Sequence, residues 1–185
     1  MNVSSGRIAG VVLFKPTPIR DDRGFFTRTL DVAILESAGI DPASFKQENQ
    51  SRSYRGGIRG LHSRLGEGEA KLARCARGSV LDVILDARPG SPTFGEIESY
   101  VLDDVEHLQV YVPAGCMHGY QALTPEADFC YRSSRFYEPG EVAVNPYDPE
   151  LAIPWQEPRG TLSERDASSP TWREFVRDVL EVPGY

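Results

Sequence analysis

The chain has 185 residues and a formal charge of −7 at pH 7. That length suits one domain over 1–185 with a full hydrophobic core, and the acidic balance excludes a non-specific nucleic-acid binder, which carries a basic face. No run of about 18 apolar residues occurs, so no membrane-spanning helix is expected.

Met1 to Gly6 has no basic flank leading into an apolar core, so no signal peptide is expected. Ile8 to Phe14 is a β-branched apolar run and reads as a first strand. Pro16 and Pro18 then restrict the chain to an extended edge or a turn. Asp21-Asp22-Arg23-Gly24 is a turn ahead of Phe25 and Phe26. A helix is predicted over Asp31 to Ala38, with Asp31 as N-cap and Gly39 as C-cap.

From Phe45 the pattern changes to short strands separated by Gly, Pro, Asp and Asn. The predicted strands are 45–53, 57–62, 71–76, 79–87, 96–102, 107–112, 118–123 and 128–136. Many short strands at regular intervals read as an all-β sandwich or barrel. Val80 to Ala87 carries apolar residues in both registers, which suits a strand covered on both faces. Asp82 and Asp86 share one face of it. They serve either a site or the strand's own hydrogen bonding. After Tyr137 the chain becomes irregular, and it ends in a short helix over Thr171 to Leu180 with apolar positions at helical spacing. No internal repeat or linker divides it. Cys75, Cys116 and Cys130 are odd in number and widely spaced, so they suggest no disulfide framework or zinc spacing. They read as small buried hydrophobes in a reducing cytoplasm.

The residues that could do chemistry centre on Arg59-Gly60-Leu61-His62. Gly60 lets the backbone pass close to another group. His62 is one of three histidines, with His107 and His118. Imidazole gives and takes protons near neutrality, so His62 reads as a general base or else as a structural histidine. Lys71 opens the next strand and returns near His62 if the two strands pair as a hairpin. There it can stabilise negative charge on an oxygen, unless it is a solvated surface lysine. Tyr131 and Tyr137 share a face if their strand continues; a phenol can donate a proton to a carbanion, although most tyrosines serve a core or an interface. Asp166 can fix the tautomer of an imidazole; read locally, it is a turn or helix-cap carboxylate. His118, between two turn glycines, is a candidate second pocket histidine. No His-x-His pair or standard ligand spacing occurs, so neither a catalytic metal nor another cofactor is expected.

Taken together, these stretches resemble the dTDP-4-dehydrorhamnose 3,5-epimerase family. The resemblance runs from about Arg20 to Pro170. It is carried first by Asp22-Arg23-Gly24-Phe25-Phe26, Gln47-x-Asn49-x-Ser51-x-Ser53 and Arg59-Gly60-Leu61-His62. Lys71, Asp82-Val83, Asp86 to Gly95 and Pro113 to Gly119 come next. Tyr131, Tyr137, Asp148-Pro149 with Ile153 and Trp155, and Leu162 to Asp166 complete it. The order and spacing of these pieces are specific, whereas no single one is. The resemblance implies a cupin-type β jelly roll with short peripheral helices, metal-independent and homodimeric. It implies a nucleoside diphosphate 4-keto-6-deoxy sugar as substrate. The catalytic base would be His62 paired with Asp166, with Lys71 supporting the enolate and Tyr131 reprotonating from the opposite face. Arg23, Gln47, Asn49 and Arg59 match positions that hold the nucleotide and diphosphate. His118 and Tyr137 match positions lining the sugar pocket.

The chain also departs from the pattern. Arg28 stands where a Glu is common, and His62-Ser63-Arg64 replaces His-Tyr-Gln or His-Phe-Gln. The loop to Lys71 reads as one residue shorter, and Gln156 follows Trp155 in place of Pro. These changes alter the lining and leave the catalytic set intact. They point to a modified deoxysugar, with inversion at one of the two carbons. Two other readings are a sugar keto-isomerase of the same fold and a non-catalytic sugar-binding jelly-roll module. The module would have no reason to keep His62, Lys71, Tyr131 and Asp166 together.

Overall fold

The computed structural model describes residues 1–157 and 160–180. Its strands are β1 (Asn2–Ser5), β2 (Val12–Lys15), β3 (Ile19–Asp21), β4 (Gly24–Phe26), β5 (Gln47–Tyr54), β6 (Ile58–Arg64) and β7 (Lys71–Arg77). They continue with β8 (Ser79–Asp86), β9 (Ile97–Asp103), β10 (Gln109–Val112), β11 (Cys116–Ala122), β12 (Glu126–Ser133) and β13 (Glu141–Ala143). One sheet has the order β1-β2-β10-β7-β12-β5 and the other β13-β6-β11-β8-β9; β3 and β4 form a separate hairpin. All pairings are antiparallel. The two large sheets share a core and form the β jelly roll that the resemblance implies.

Side-chain alternation explains the layers. Ala73 and Cys75 of β7 and Ala127 and Phe129 of β12 meet Val80 and Ile84 of β8 and Tyr120 and Ala122 of β11 between the sheets. Strand β8 is buried on both faces, as its sequence predicts. Leu81, Val83 and Leu85 point the other way, into a second cluster with Trp172 and Phe175. Burying each such large side chain stabilises the fold by about 1.5–3 kcal/mol.

The helices are peripheral. Helix α1 (Val32–Ser37) is capped by the Asp31 side chain, as expected. Its Leu35 covers the outer face of the six-stranded sheet beside Phe14 and Leu72. Helix α2 (Glu164–Ala167) is a single turn capped by Ser163. Helix α3 (Trp172–Phe175) starts in a Thr171–Glu174 capping box and runs into a wider π turn over Val176–Leu180. No helix among the described residues is long and apolar enough to cross a membrane.

Some boundaries differ from expectation. The predicted strand 8–14 starts only at Val12, because Gly6 to Val11 forms a turn closed by Gly6 N–H to Val11 O at 2.9 Å. The predicted strand 107–112 starts at Gln109, since His107 has φ +56° in a turn. The predicted strand 128–136 runs over Glu126–Ser133. Strands β1 and β13 and the β3–β4 pairing have no counterpart among the predicted strands.

Candidate active site

Between the sheets, the apolar core gives way at one end to a cavity of about 740 Å³. The same inward register that supplies the core supplies its walls. Ala73 and Cys75 are followed outward on β7 by Lys71, and Phe129 on β12 by Tyr131. On β5 the inward positions are Gln47, Asn49, Ser51 and Ser53, all lining the cavity. The facing sheet contributes His62 and Arg64 from β6 and His118 and Tyr120 from β11.

His62 is set by a close strand crossing. Gly60 has φ +128°, and a Cβ there would lie 2.5 Å from Gly119 Cα and 2.9 Å from the His118 carbonyl oxygen. Glycine is therefore required at Gly60. The crossing places His62 opposite His118 in the ladder, with a register shift between His118 and Tyr120. His62 Nε2 lies 2.6 Å from Asp166 Oδ1. Asp166 is both the expected helix-terminus carboxylate and the imidazole's partner. It sits in the first turn of α2, where its own N–H donates to Ser163 Oγ at 3.1 Å. Burial pushes the Asp166 carboxyl up, but the hydrogen bond and charge of His62, with Ser163 and the Gly60 N–H, outweigh it and hold the group below its ordinary value. A carboxylate only accepts, so Nε2 donates and Nδ1 keeps its lone pair. Nδ1 lies 3.9 Å from Glu141 Oε1 on β13.

Asp82 and Asp86 do share a face, yet they divide the two roles. Asp82, fully buried, pairs with His118 Nε2 at 2.7 Å and so supports a cavity histidine. Asp86 does not line the cavity. It accepts from Arg88 Nε at 2.8 Å and from the hydroxyls of Ser91 and Thr93, tying down the turn after β8.

Tyr131 and Lys71 belong to the opposite sheet. The condition of a hairpin between the strands of His62 and Lys71 is not met, because β6 and β7 lie in different sheets. Lys71 reaches the cavity from the facing wall. Its Nζ sits 5.4 Å from the centroid of the Tyr131 ring. Burial, then the carboxylates of Glu69 and Glu141, raises the Tyr131 phenol above its ordinary value. Tyr137 also lines the cavity, though not by strand alternation: β12 ends at Ser133, and Tyr137 is 82 % exposed on the loop beyond. Its N–H donates to Gln47 Oε1 at 2.9 Å.

Arg59 donates from Nε to Ser53 Oγ at 3.0 Å and from Nη2 to the Arg52 carbonyl at 3.3 Å. Among the described residues it has no carboxylate partner, whereas Arg52 is held by Asp128 and Arg165 by Glu141. Arg23 is not brought to this cavity. It lies on the exposed β3–β4 turn, paired with Asp21 at 2.5 Å. Among the described residues no three His, Cys, Asp or Glu side chains come together as a metal-binding set.

A family model described as dTDP-4-dehydrorhamnose 3,5-epimerase matches residues 5–174. The chain belongs to this family. It is 41 % identical over 161 residues to the dTDP-4-dehydrorhamnose 3,5-epimerase of Pseudomonas aeruginosa, covering 86 % of this chain and 89 % of that protein. It is 42 % identical over 182 residues to a dTDP-4-dehydrorhamnose 3-epimerase of Streptomyces niveus, covering 96 % of this chain and 86 % of that one. Among solved structures, a 4-keto-6-deoxy sugar epimerase from the novobiocin biosynthetic gene cluster of Streptomyces spheroides superposes with a TM-score of 0.91 at 41 % identity, over 96 % of this chain and 90 % of that chain.

Within this epimerase fold, three cavity residues escaped sequence reasoning. Glu141 lies on a strand of three residues that carries no periodic signal. Glu69 ends a polar loop and looks solvated, yet its side chain is only 9 % exposed. Tyr120 shares its hydroxyl with Ser51 at 2.8 Å and Ser53 at 2.9 Å. The alternation of Gln47, Asn49, Ser51 and Ser53 is the one signal that could have announced a polar wall.

Proposed function

We propose that this protein inverts C3, C5 or both in a dTDP-4-keto-6-deoxy sugar by proton abstraction beside the C4 ketone. One observation carries the reading: His62 and Tyr131 stand on opposite sheets across a single cavity. Inversion needs a base on one face of a carbon and an acid on the other. A C–H next to a ketone is acidic because its electron pair delocalises onto the carbonyl oxygen. His62 Nδ1 takes that proton, the C–H bond breaks, and the pair moves onto the oxygen. Asp166 stabilises the imidazolium that forms. Lys71 places its ammonium against the enolate oxygen. Tyr131 then gives its phenol proton to the carbon from the other side, and solvent resets both groups. The raised phenol keeps that proton in place at neutral pH.

The remaining lining fits a nucleoside diphosphate. Arg59, free of a carboxylate partner among the described residues, offers a guanidinium to phosphate oxygens. Gln47 and Asn49 add amide groups for the nucleotide, and His118 and Tyr137 flank the sugar. Arg23 lies too far out to serve its own cavity, so its role in nucleotide binding goes with a homodimer in which it reaches the partner's cavity. The exposed Ile19, Phe25 and Phe26 beside it support such an interface. Three buried thiols with no disulfide suit a cytoplasmic location. The Ser63-Arg64 lining favours a modified deoxysugar and inversion at one carbon; obligatory exchange at both carbons of the ordinary rhamnose precursor would count against that part. The test is incubation in D₂O with dTDP-4-keto-6-deoxyglucose, following the C3 and C5 protons by NMR. Exchange at either carbon that vanishes in His62→Ala supports the assignment, and exchange unaffected by that substitution removes His62 as the base.

A further inference from the structure

Lys71 can serve an enolate only if its ammonium is held in place. Its Nζ lies 3.5 Å from Glu69 Oε2. The same oxygen lies 3.7 Å from Arg64 Nε. The other carboxylate oxygen accepts from the hydroxyl of Ser133, which is fully buried. Glu69 therefore links β6, through Arg64, to β7 and β12, through Lys71 and Ser133. Those strands carry the two walls of the cavity. Arg64 is itself anchored by Nη2 donating to the Glu138 carbonyl at 2.6 Å, while its buried Nε has no hydrogen-bond partner among the described residues. Two cations around one largely buried carboxylate leave a single positive charge on this part of the wall.

We propose that Glu69 is a positioning residue for the reaction: it fixes the Lys71 ammonium over the reacting oxygen and ties the wall of His62 to the wall of Tyr131. The inference rests on the epimerase reading. An unheld lysine has a flexible four-carbon stem, and its other contact is the face of the Tyr131 ring. Loss of Glu69 then lets the charge wander from the place where the enolate forms, which costs rate more than binding. A second consequence is electrostatic. The groups around the Tyr131 phenol are Lys71 on β7, Glu69 before it, Glu141 on β13, Tyr120 on β11 and the Asn49 amide on β5. Removing the Glu69 charge leaves Lys71 unopposed and makes the phenolate easier to form.

The test compares wild type, Glu69→Gln and the double variant Arg64→Gln/Glu69→Gln in deuterium exchange and epimerisation of dTDP-4-keto-6-deoxyglucose across pH. Glu69→Gln is expected to lower kcat by about 10- to 100-fold with KM little changed. Its alkaline limb is expected to move to lower pH by about one unit. The double variant removes Arg64, one of the two cations that the first change orphans, so it guards against a folding defect. It is expected to recover thermal stability but not kcat, since Lys71 is still unheld. A kcat within about twofold of wild type, a loss in KM alone, an unmoved alkaline limb, or a kcat restored along with stability would each overturn the proposal. Tyr131→Phe and His62→Ala run beside them. If wild type itself neither exchanges nor inverts, the epimerase reading has failed; if those two variants leave inversion intact, the assignment of base and acid has failed; both outcomes are distinct from a failure of Glu69.

Discussion

Replacing Asp166 by Asn keeps the shape of the side chain and removes its charge. Asp166 is 3 % exposed and its contact with His62 Nε2 is 2.6 Å. A charge-assisted hydrogen bond of this kind contributes about 1.5–3 kcal/mol. At about 1.4 kcal/mol per decade, losing it alone slows the reaction by about 10- to 100-fold. The surroundings make the loss larger. The Gly60 N–H and the Ser163 hydroxyl also bond to this carboxylate. An Asn keeps its carbonyl for those donors, which leaves its NH₂ group facing Nε2. Nε2 must then accept, the imidazole proton moves to Nδ1, and the lone pair that serves as base is gone. A wrong tautomer of this sort costs about 10⁴-fold in rate. We expect Asp166→Asn to lose about 10³- to 10⁴-fold in kcat for deuterium wash-in, with KM within a few-fold of wild type. NMR initial rates give kcat, and a denaturant midpoint confirms that the fold is intact. A folded Asp166→Asn with kcat within about fivefold of wild type would refute the tautomer argument.

Gly60→Ala forces a Cβ to within 2.5 Å of Gly119 Cα at a positive φ. It should destabilise the protein by about 3 kcal/mol, read as a lower urea midpoint at constant m. The Asp86 carboxyl is buried, which raises its pKa, but bonds from Arg88, Ser91 and Thr93 override this and hold it well below the usual carboxylate range. Its contribution is therefore complete above the unfolded value of about 3.9 and is lost only as pH falls through the depressed native value. Asp86→Ala should cost about 3 kcal/mol at pH 7, with the gap to wild type closing in strong acid; a gap that widens toward pH 2 would contradict this sign. All three cysteines are buried, and burial pushes the thiols of Cys75 and Cys116 up to about 12. None should react with a disulfide reagent at pH 8 in the folded protein, and all three should react in denaturant. Rapid labelling of one native thiol would contradict that burial.

Strand alternation made the sandwich legible, because a two-residue period survives whatever the partner strand is. It correctly put both faces of β8 in contact with protein and put Asp82 and Asp86 on one side. Gly60 was legible for a similar reason, since a missing Cβ signals close approach. The pairing of His62 with Asp166 spans 104 residues and has no local signal. Locally Asp166 is a helix-terminus carboxylate, and in the structure it is that as well. Lys71 reaches His62's cavity, but from the facing sheet. The polar turn region between the two does not say whether the chain returns beside its own strand or crosses the barrel. Tyr137 reaches the cavity after its strand has ended, so alternation could not place it. Glu141 was invisible because its charge finds partners only through tertiary contacts, and Glu69 because what draws it inward is Ser133, 64 residues away.

Base and acid acting from opposite walls is the centre of the mechanism. The most direct measurement follows both hydrogen exchange and configuration in Tyr131→Phe, in D₂O, with dTDP-4-keto-6-deoxyglucose. With the acid removed and His62 intact, deuterium should still wash in at the carbon that the wild type inverts, returned by His62 to the face it left, with little inverted product. Inversion by Tyr131→Phe at a rate near wild type would contradict the account, because the second face would then have another proton donor.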